Sequence, residues 1–274
     1  MSFLSRIFSF FKKEEDLALL KINRYGWIHQ HPDHRDFKYG ALKLTAEVPA
    51  TLPALVDLRD KLPACWDQGQ IGSCTGHGIA GALVFDEQFE KEGFVMPSRL
   101  FIYYNEREME GSISSDAGGQ IRDGVKAIAN LGFSDEKLWP YVENKFATKP
   151  PQAAYANGVT HKALNYFSLD NTKLDELKGC LAAGFPFIFG FTVYDSFEGP
   201  EVAKTGILNL PLATEQQQGG HCVLCVGYDD ASKRFIVRNS WGTDWGHNGY
   251  FTIPYDYLTN PDLADDFWSI RKIM

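Results

Sequence analysis

Cys74 ends a glycine-rich turn, Gln68-Gly69-Gln70-Ile71-Gly72-Ser73-Cys74-Thr75-Gly76, and precedes the apolar run Ile79-Ala80-Gly81-Ala82-Leu83-Val84-Phe85. A cysteine at such a junction stands at a helix N-terminus. Unpaired backbone N–H groups and the helix dipole there favour the thiolate and lower the thiol pKa. The ordinary alternative is a buried, inert cysteine. Two downstream segments supply what a nucleophile needs. Gly219-Gly220-His221-Cys222-Val223-Leu224-Cys225-Val226-Gly227-Tyr228 offers a base at the mouth of a strand. Arg238-Asn239-Ser240-Trp241-Gly242 offers an amide that can orient an imidazole. Nucleophile, base and orienting group together define covalent acyl transfer.

These segments resemble the papain-like cysteine peptidases. Gln68 to Cys74 is similar to the family's oxyanion-and-nucleophile loop. His221 stands before a Val-x-x-Val-Gly-Tyr strand, as the family's base does. Asn239-Ser240-Trp241-Gly242, followed by Trp245-Gly246 and Asn248-Gly249-Tyr250, matches its most specific signature. The order Cys, His, Asn fits as well. The resemblance runs from Val56 to Tyr257, and Val56-Asp57-Leu58-Arg59-Asp60 looks like a mature N-terminus. It implies a bacterial-like short form, because residues 1–55 are too few for the family's long helical propeptide.

The resemblance assigns roles. Cys74 attacks the scissile carbonyl as a thiolate, and His221 holds the imidazolium and then protonates the leaving amine. Asn239 orients the imidazole. Gln68 donates to the oxyanion beside the Cys74 backbone N–H. Trp241 covers the Asn239–His221 bond. Gly118, Gly119 and Gly220 match the backbone walls that bind an extended peptide, where glycine permits close approach. Gly118-Gly119 also reads as a simple turn. Thr75 departs from the aromatic residue that usually follows the nucleophile. His77 lies near Cys74 on the same helix, but a turn inside it, so His221 is the expected base. His161 and His247 read as surface residues.

The full chain has 274 residues, a net charge of −8, 44% hydrophobic and 23% charged residues, which is enough for a large core. No basic patch suggests nucleic acid as a partner. The odd set Cys65, Cys74, Cys180, Cys222 and Cys225 is no disulfide framework. Secreted relatives bridge a cysteine in the nucleophile loop to a Cys-x-Gly-Gly segment; the resemblance aligns these with Ile71 and Asp116-Ala117-Gly118-Gly119, so that bridge is absent. This fits a reducing, cytoplasmic compartment, with export without a standard signal peptide as the alternative. Cys222 and Cys225 lie three apart on a strand and face opposite ways, which argues against a zinc or redox pair. His29, His31 and His34 read as an exposed loop, with no metal and no cofactor expected. No apolar stretch is long enough to cross a membrane. Phe3, Leu4, Ile7, Phe8, Phe10 and Phe11 form one face of a short helix, suited to packing on the body or to a membrane surface or partner.

The elements that must position these residues follow from periodicity. Helices are expected from Cys74, over Ser98–Arg107, Gln120–Ala129 and Leu174–Ala183. Strands are expected at Pro186–Val193, Cys222–Tyr228, Arg234–Asn239 and Gly249–Ile253. A helical half followed by a strand half is α+β. The resemblance implies a two-lobed fold, a helical lobe (60–160) facing an antiparallel β-barrel lobe (161–257), with an extension at 258–274. Together these make a peptidase domain at 56–274, preceded by a helix and docking segment at 1–55. The expected function is a cysteine-type endopeptidase acting on extended polypeptide. A catalytically silent binding homologue, or a transamidase or acyltransferase with the same triad, are the alternatives.

Overall fold

The helix that opens at Cys74 is apolar on every side, and such helices are buried rather than surface-lying. In the structure, a computed structural model describing residues 25–41, 48–89, 95–162 and 164–272, this helix is α1 (Cys74–Phe89). Every residue from Cys74 to Asp86 is buried. Two further helices pack against it. α2 (Arg99–Glu110) starts where the Ser98 hydroxyl accepts from the Phe101 N–H and ends on Gly111 in the left-handed region. α3 (Ile121–Leu131) buries Ile121, Val125 and Ile128, an i, i+4, i+7 face. The amphipathic face expected at Phe3–Phe11 lies outside the described residues.

The other lobe is one antiparallel sheet. Its strands are β1 (Leu55–Asp57), β2 (Leu164–Ser168), β3 (Phe187–Tyr194), β4 (Gln217–Asp229), β5 (Arg234–Arg238), β6 (Tyr250–Pro254) and β7 (Ala264–Lys272). They are ordered β2-β7-β3-β4-β5-β6, with β1 added on β4. Four expected strands appear near their expected places. β1, β2 and β7 were not expected. Residues expected as a C-terminal extension instead supply β7, paired with β2 and β3 in the interior of the sheet. Short helices complete the chain: α4 (Gln152–Gly158), α5 (Leu174–Ala182), α6 (Pro200–Thr205) and α7 (Tyr255–Leu258).

The two lobes meet where α1 lies on β4. Gly78 permits this close approach, since a Cβ there would stand 3.1 Å from Cys222 Sγ. The contact sets the start of α1 beside the residue that follows His221. A fold-wide element order thus becomes a local geometry.

Candidate active site

Cys74 begins α1, and its sulfur accepts from the Cys222 N–H at 3.4 Å. His221 lies on β4, one residue before that donor. Its Nε2 is 2.8 Å from Asn239 Oδ1. Asn239 Oδ1 also accepts the Ser240 N–H at 2.8 Å, which fixes which end of the amide is oxygen. An amide oxygen only accepts, so Nε2 carries the proton and Nδ1 presents its lone pair. Nδ1 has no hydrogen-bond partner. Trp241 lies against this pair, its ring centroid 5.1 Å from that of His221, and is 2% exposed.

Gln68 is fully buried at the lobe junction. Its Nε2 donates to the Ile71 carbonyl at 2.9 Å, and its Oε1 accepts from Ser240 Oγ at 2.6 Å. Its backbone N–H donates to the Ser240 carbonyl at 2.8 Å. The nucleophile loop is therefore bound to the segment carrying Asn239. His77 takes no part in this cluster. Its Nδ1 bonds the Ser73 carbonyl at 2.9 Å, and its ring stands edge-on to Trp66 and Tyr141. Burial pushes its pKa well down.

Three positioning residues were not found by reading the sequence. The Asp116 carboxylate accepts from the Gly72 N–H at 3.0 Å and from the Tyr103 hydroxyl. It thus ties the nucleophile loop to the Gly118-Gly119 wall, where related enzymes are expected to carry a disulfide. Tyr141 donates to the Gln68 carbonyl at 2.7 Å and sits 2.6 Å from Ser73 Oγ. Thr75, where the resemblance expects an aromatic, donates to the buried Glu106 carboxyl, whose pKa burial pushes well up. An aspartate near a Gly-Gly pair was the only sequence signal available for the first. The other two depend on contacts between distant segments.

The cleft between the lobes is occupied by the chain's own residues Tyr25–Ile28. The Trp27 N–H donates to the Gly220 carbonyl at 3.0 Å, and the Ile28 N–H to the Gly119 carbonyl at 3.0 Å. The Gly119 N–H returns a bond to the Gly26 carbonyl at 2.8 Å. Gly26 crosses the nucleophile loop so closely that a Cβ there would lie 1.7 Å from the Gly72 carbonyl oxygen. Trp27 lies on Gly190 and Gly220, and its Nε1 donates to Asp266 Oδ2 at 2.8 Å. Tyr25 covers the other side. Its ring is 5.8 Å from His221, and its hydroxyl donates to Glu198 at 2.6 Å. Farther along, the Asp36–Arg122 ion pair at 2.7 Å anchors the strap to α3.

Under this strap Cys74 and His221 are each 0% exposed. Burial pushes the Cys74 thiol up to about 12, against opposing N–H donors from Cys222, Gly26 and Thr75. Burial pushes the His221 imidazolium down to about 4, against the Asn239 bond. With the strap in place burial thus disfavours charge on both groups, against the acidic thiol expected from a helix N-terminus alone. Desolvation outweighs the dipole here because it penalises any charge on the pair, whereas the dipole's favourable contribution is typically ~1 kcal/mol.

A helical lobe and an antiparallel sheet lobe meeting at a cysteine, a histidine and an asparagine define the papain-like class. The chain belongs to the papain family of cysteine proteases: the family's sequence profile matches residues 52–266. It is 44% identical over 271 residues to the uncharacterized peptidase C1-like protein L477 of Acanthamoeba polyphaga mimivirus, covering 91% of this chain and 87% of that protein. It is similar to xylellain, a cysteine protease from Xylella fastidiosa, with a TM-score of 0.84 and 41% identity over 91% of this chain and 96% of the other. The thiol protease aleurain of Arabidopsis thaliana is 29% identical over 215 residues, which span 74% of this chain and 56% of that protein.

Proposed function

We propose that this protein is a cysteine-type endopeptidase, held latent by residues 25–28. The observation that carries the reading is an extended polypeptide lying over Cys74, bonded through its backbone to Gly119 and Gly220. A cleft that binds one peptide backbone through glycine walls can bind another. Once the strap lifts, Cys74 gives its proton to His221 Nδ1 and attacks the substrate carbonyl. The oxyanion is held by the Cys74 N–H and the Gln68 amide, which Ser240 and Ile71 keep in one orientation. The tetrahedral adduct collapses as His221 returns the proton to the leaving amine. Water then hydrolyses the thioester, with His221 as general base.

The side on which Tyr25 lies is the leaving-group side, because His221, the proton donor, faces it there. The Trp27 pocket is then on the acyl side. The strap therefore runs N- to C-terminal in the opposite sense to a productive substrate, which accounts for a peptide that rests on the nucleophile without being cut. The free, buried thiols suit a reducing compartment such as the cytoplasm. The test is hydrolysis of fluorogenic peptides together with labelling by a peptidyl chloromethyl ketone. The reading predicts turnover and modification at Cys74, both lost in Cys74→Ala. A well-folded chain that binds peptides without turnover or labelling would be a silent homologue, and transfer of the acyl group to an added amine in preference to water would mark a transferase.

A further inference from the structure

Just past Trp27 the strap meets the sheet again. His29 Nε2 lies 2.7 Å from Asp265 Oδ2. Asp266, next along β7, is 3% exposed, and its Oδ2 accepts from Trp27 Nε1 at 2.8 Å and from the Gln30 N–H at 3.0 Å. Successive residues of a regular strand face opposite sides. Here β7 shifts register against β3 between Ile188 and Gly190, and Asp266 stands at φ 61. This irregularity brings both carboxylates to one side, as bulges re-aim side chains elsewhere. One ligand atom from each of His29, Asp265 and Asp266 lies within 4.8 Å of the other two. The sequence around His29 offers no such partners; the fold brings them from β7.

Two neighbouring carboxylates call for a compensating cation. Among the described residues neither is ion-paired with a lysine or arginine, and no hydrogen bond falls on Asp266 Oδ1. Arg122, which shares a neighbouring cavity with them, is engaged by Asp36 and by the His31 carbonyl. A guanidinium or ammonium arriving from elsewhere would answer the carboxylates but make no use of the imidazole lone pair. A divalent metal ion uses all three groups. One nitrogen and two carboxylate oxygens suit zinc, whereas calcium and magnesium favour oxygen alone. The Trp27 and Gln30 donors already fix the Asp266 carboxylate, as outer partners fix a metal ligand. The His29 and Asp265 side chains are 53% and 41% exposed, which leaves an ion a path in. Ligands of tetrahedral zinc stand about 3.4 Å apart, so a rotation of the exposed His29 ring closes the set.

We propose that His29, Asp265 and Asp266 form a zinc site that clamps the strap over the cleft. One ion takes His29 Nε2 and one oxygen from each carboxylate, with water in the fourth position. The proton that Nε2 donates to Asp265 passes through solvent to Nδ1, so the imidazole binds in its neutral form. Because the ligands come from strap and sheet together, the ion favours the closed state by mass action. Its regulatory consequence rests on the peptidase reading above; its binding does not.

The test uses the full-length Cys74→Ala chain, in which the thiol cannot take up the metal. Zinc binding is measured by competition with a chromophoric chelator. One ion should bind, and His29→Ala and Asp265→Asn should each weaken it by about tenfold or more, since even an outer-shell partner is worth that much. Both side chains are half-exposed, so neither change threatens the fold. Chymotrypsin cleavage after Trp27 then reads strap opening, with chelator-treated protein as the reference. Zinc at ten times its dissociation constant should slow that cleavage about tenfold. The same zinc concentration should leave it unslowed in either variant. No binding, or binding and protection that both variants retain, overturns the proposal, and so does an ion that binds without protecting. None of these readings uses peptide turnover, so a chain that hydrolyses no peptide overturns the peptidase reading alone.

Discussion

At the scale of single residues, the account rests on a division of labour that substitutions can read. Cys74→Ala and His221→Ala should each remove nearly all turnover with the fold intact by circular dichroism. His77→Ala should lose far less, or should fail through stability, because its imidazole bonds the Ser73 carbonyl just ahead of its own helix. Equal loss in folded His221→Ala and His77→Ala would undo the choice of base. Gln68→Ala removes the proposed oxyanion donor and should lower kcat by roughly 10²–10³-fold. Asp116→Ala should act on stability instead, lowering it by about 1–3 kcal/mol because the Gly72 N–H and the Tyr103 hydroxyl lose their acceptor. A thermal denaturation curve unchanged by Asp116→Ala would mean that the nucleophile loop does not depend on this tether.

At the scale of elements, the strap and the sheet lie at opposite ends of what a sequence can disclose. α1 was legible because a glycine-rich turn gives way to a long apolar run, and β4 because its apolar run follows Gly-Gly. β7 was not legible. It opens Ala264-Asp265-Asp266, residues that favour strands poorly, and it forms because β2 and β3 pair with it on both sides. The same strand carries the carboxylate under Trp27, so that contact was hidden too. A docking segment was expected at 1–55, but only the folded chain places its Tyr25 and Trp27 in the cleft. The strap also has a pH dependence. Burial, then the adjacent Asp265, raises Asp266 to about 7 while the strap is seated. A carboxyl whose pKa is raised in one state favours that state when protonated. Strap closure should therefore be tighter at acid pH and weaken as pH rises through about 7. The Cys74–His221 pair only passes a proton between its members and adds no net dependence. Cys74 labelling by iodoacetamide, corrected for the intrinsic reactivity of a free thiol, should thus accelerate between pH 6 and 8 in the wild-type chain and lose that acceleration in Asp266→Asn. Faster corrected labelling on acidification would contradict the sign.

At the scale of the whole molecule, two lobes enclose a site that neither contains. The proposed triad spans both: Cys74 comes from the helical lobe, His221 and Asn239 from the sheet lobe, and Gln68 is bonded across the junction to Ser240. All five cysteines are free and buried. The protein should therefore fold and act under reducing conditions, with intact-mass measurement giving the fully reduced mass; an obligatory native disulfide would contradict this. The central claim is that one cleft holds both the nucleophile and its restraint. It is tested most directly by the turnover of one fluorogenic peptide by three full-length proteins: wild type, Cys74→Ala and Gly26→Ala. The Gly26→Ala methyl group would collide with the Gly72 carbonyl. The account predicts that Gly26→Ala is faster than wild type and that Cys74→Ala is inactive. A Gly26→Ala chain no faster than wild type would make the strap a brace without restraint, and hydrolysis by Cys74→Ala at the wild-type rate would remove the peptidase assignment itself.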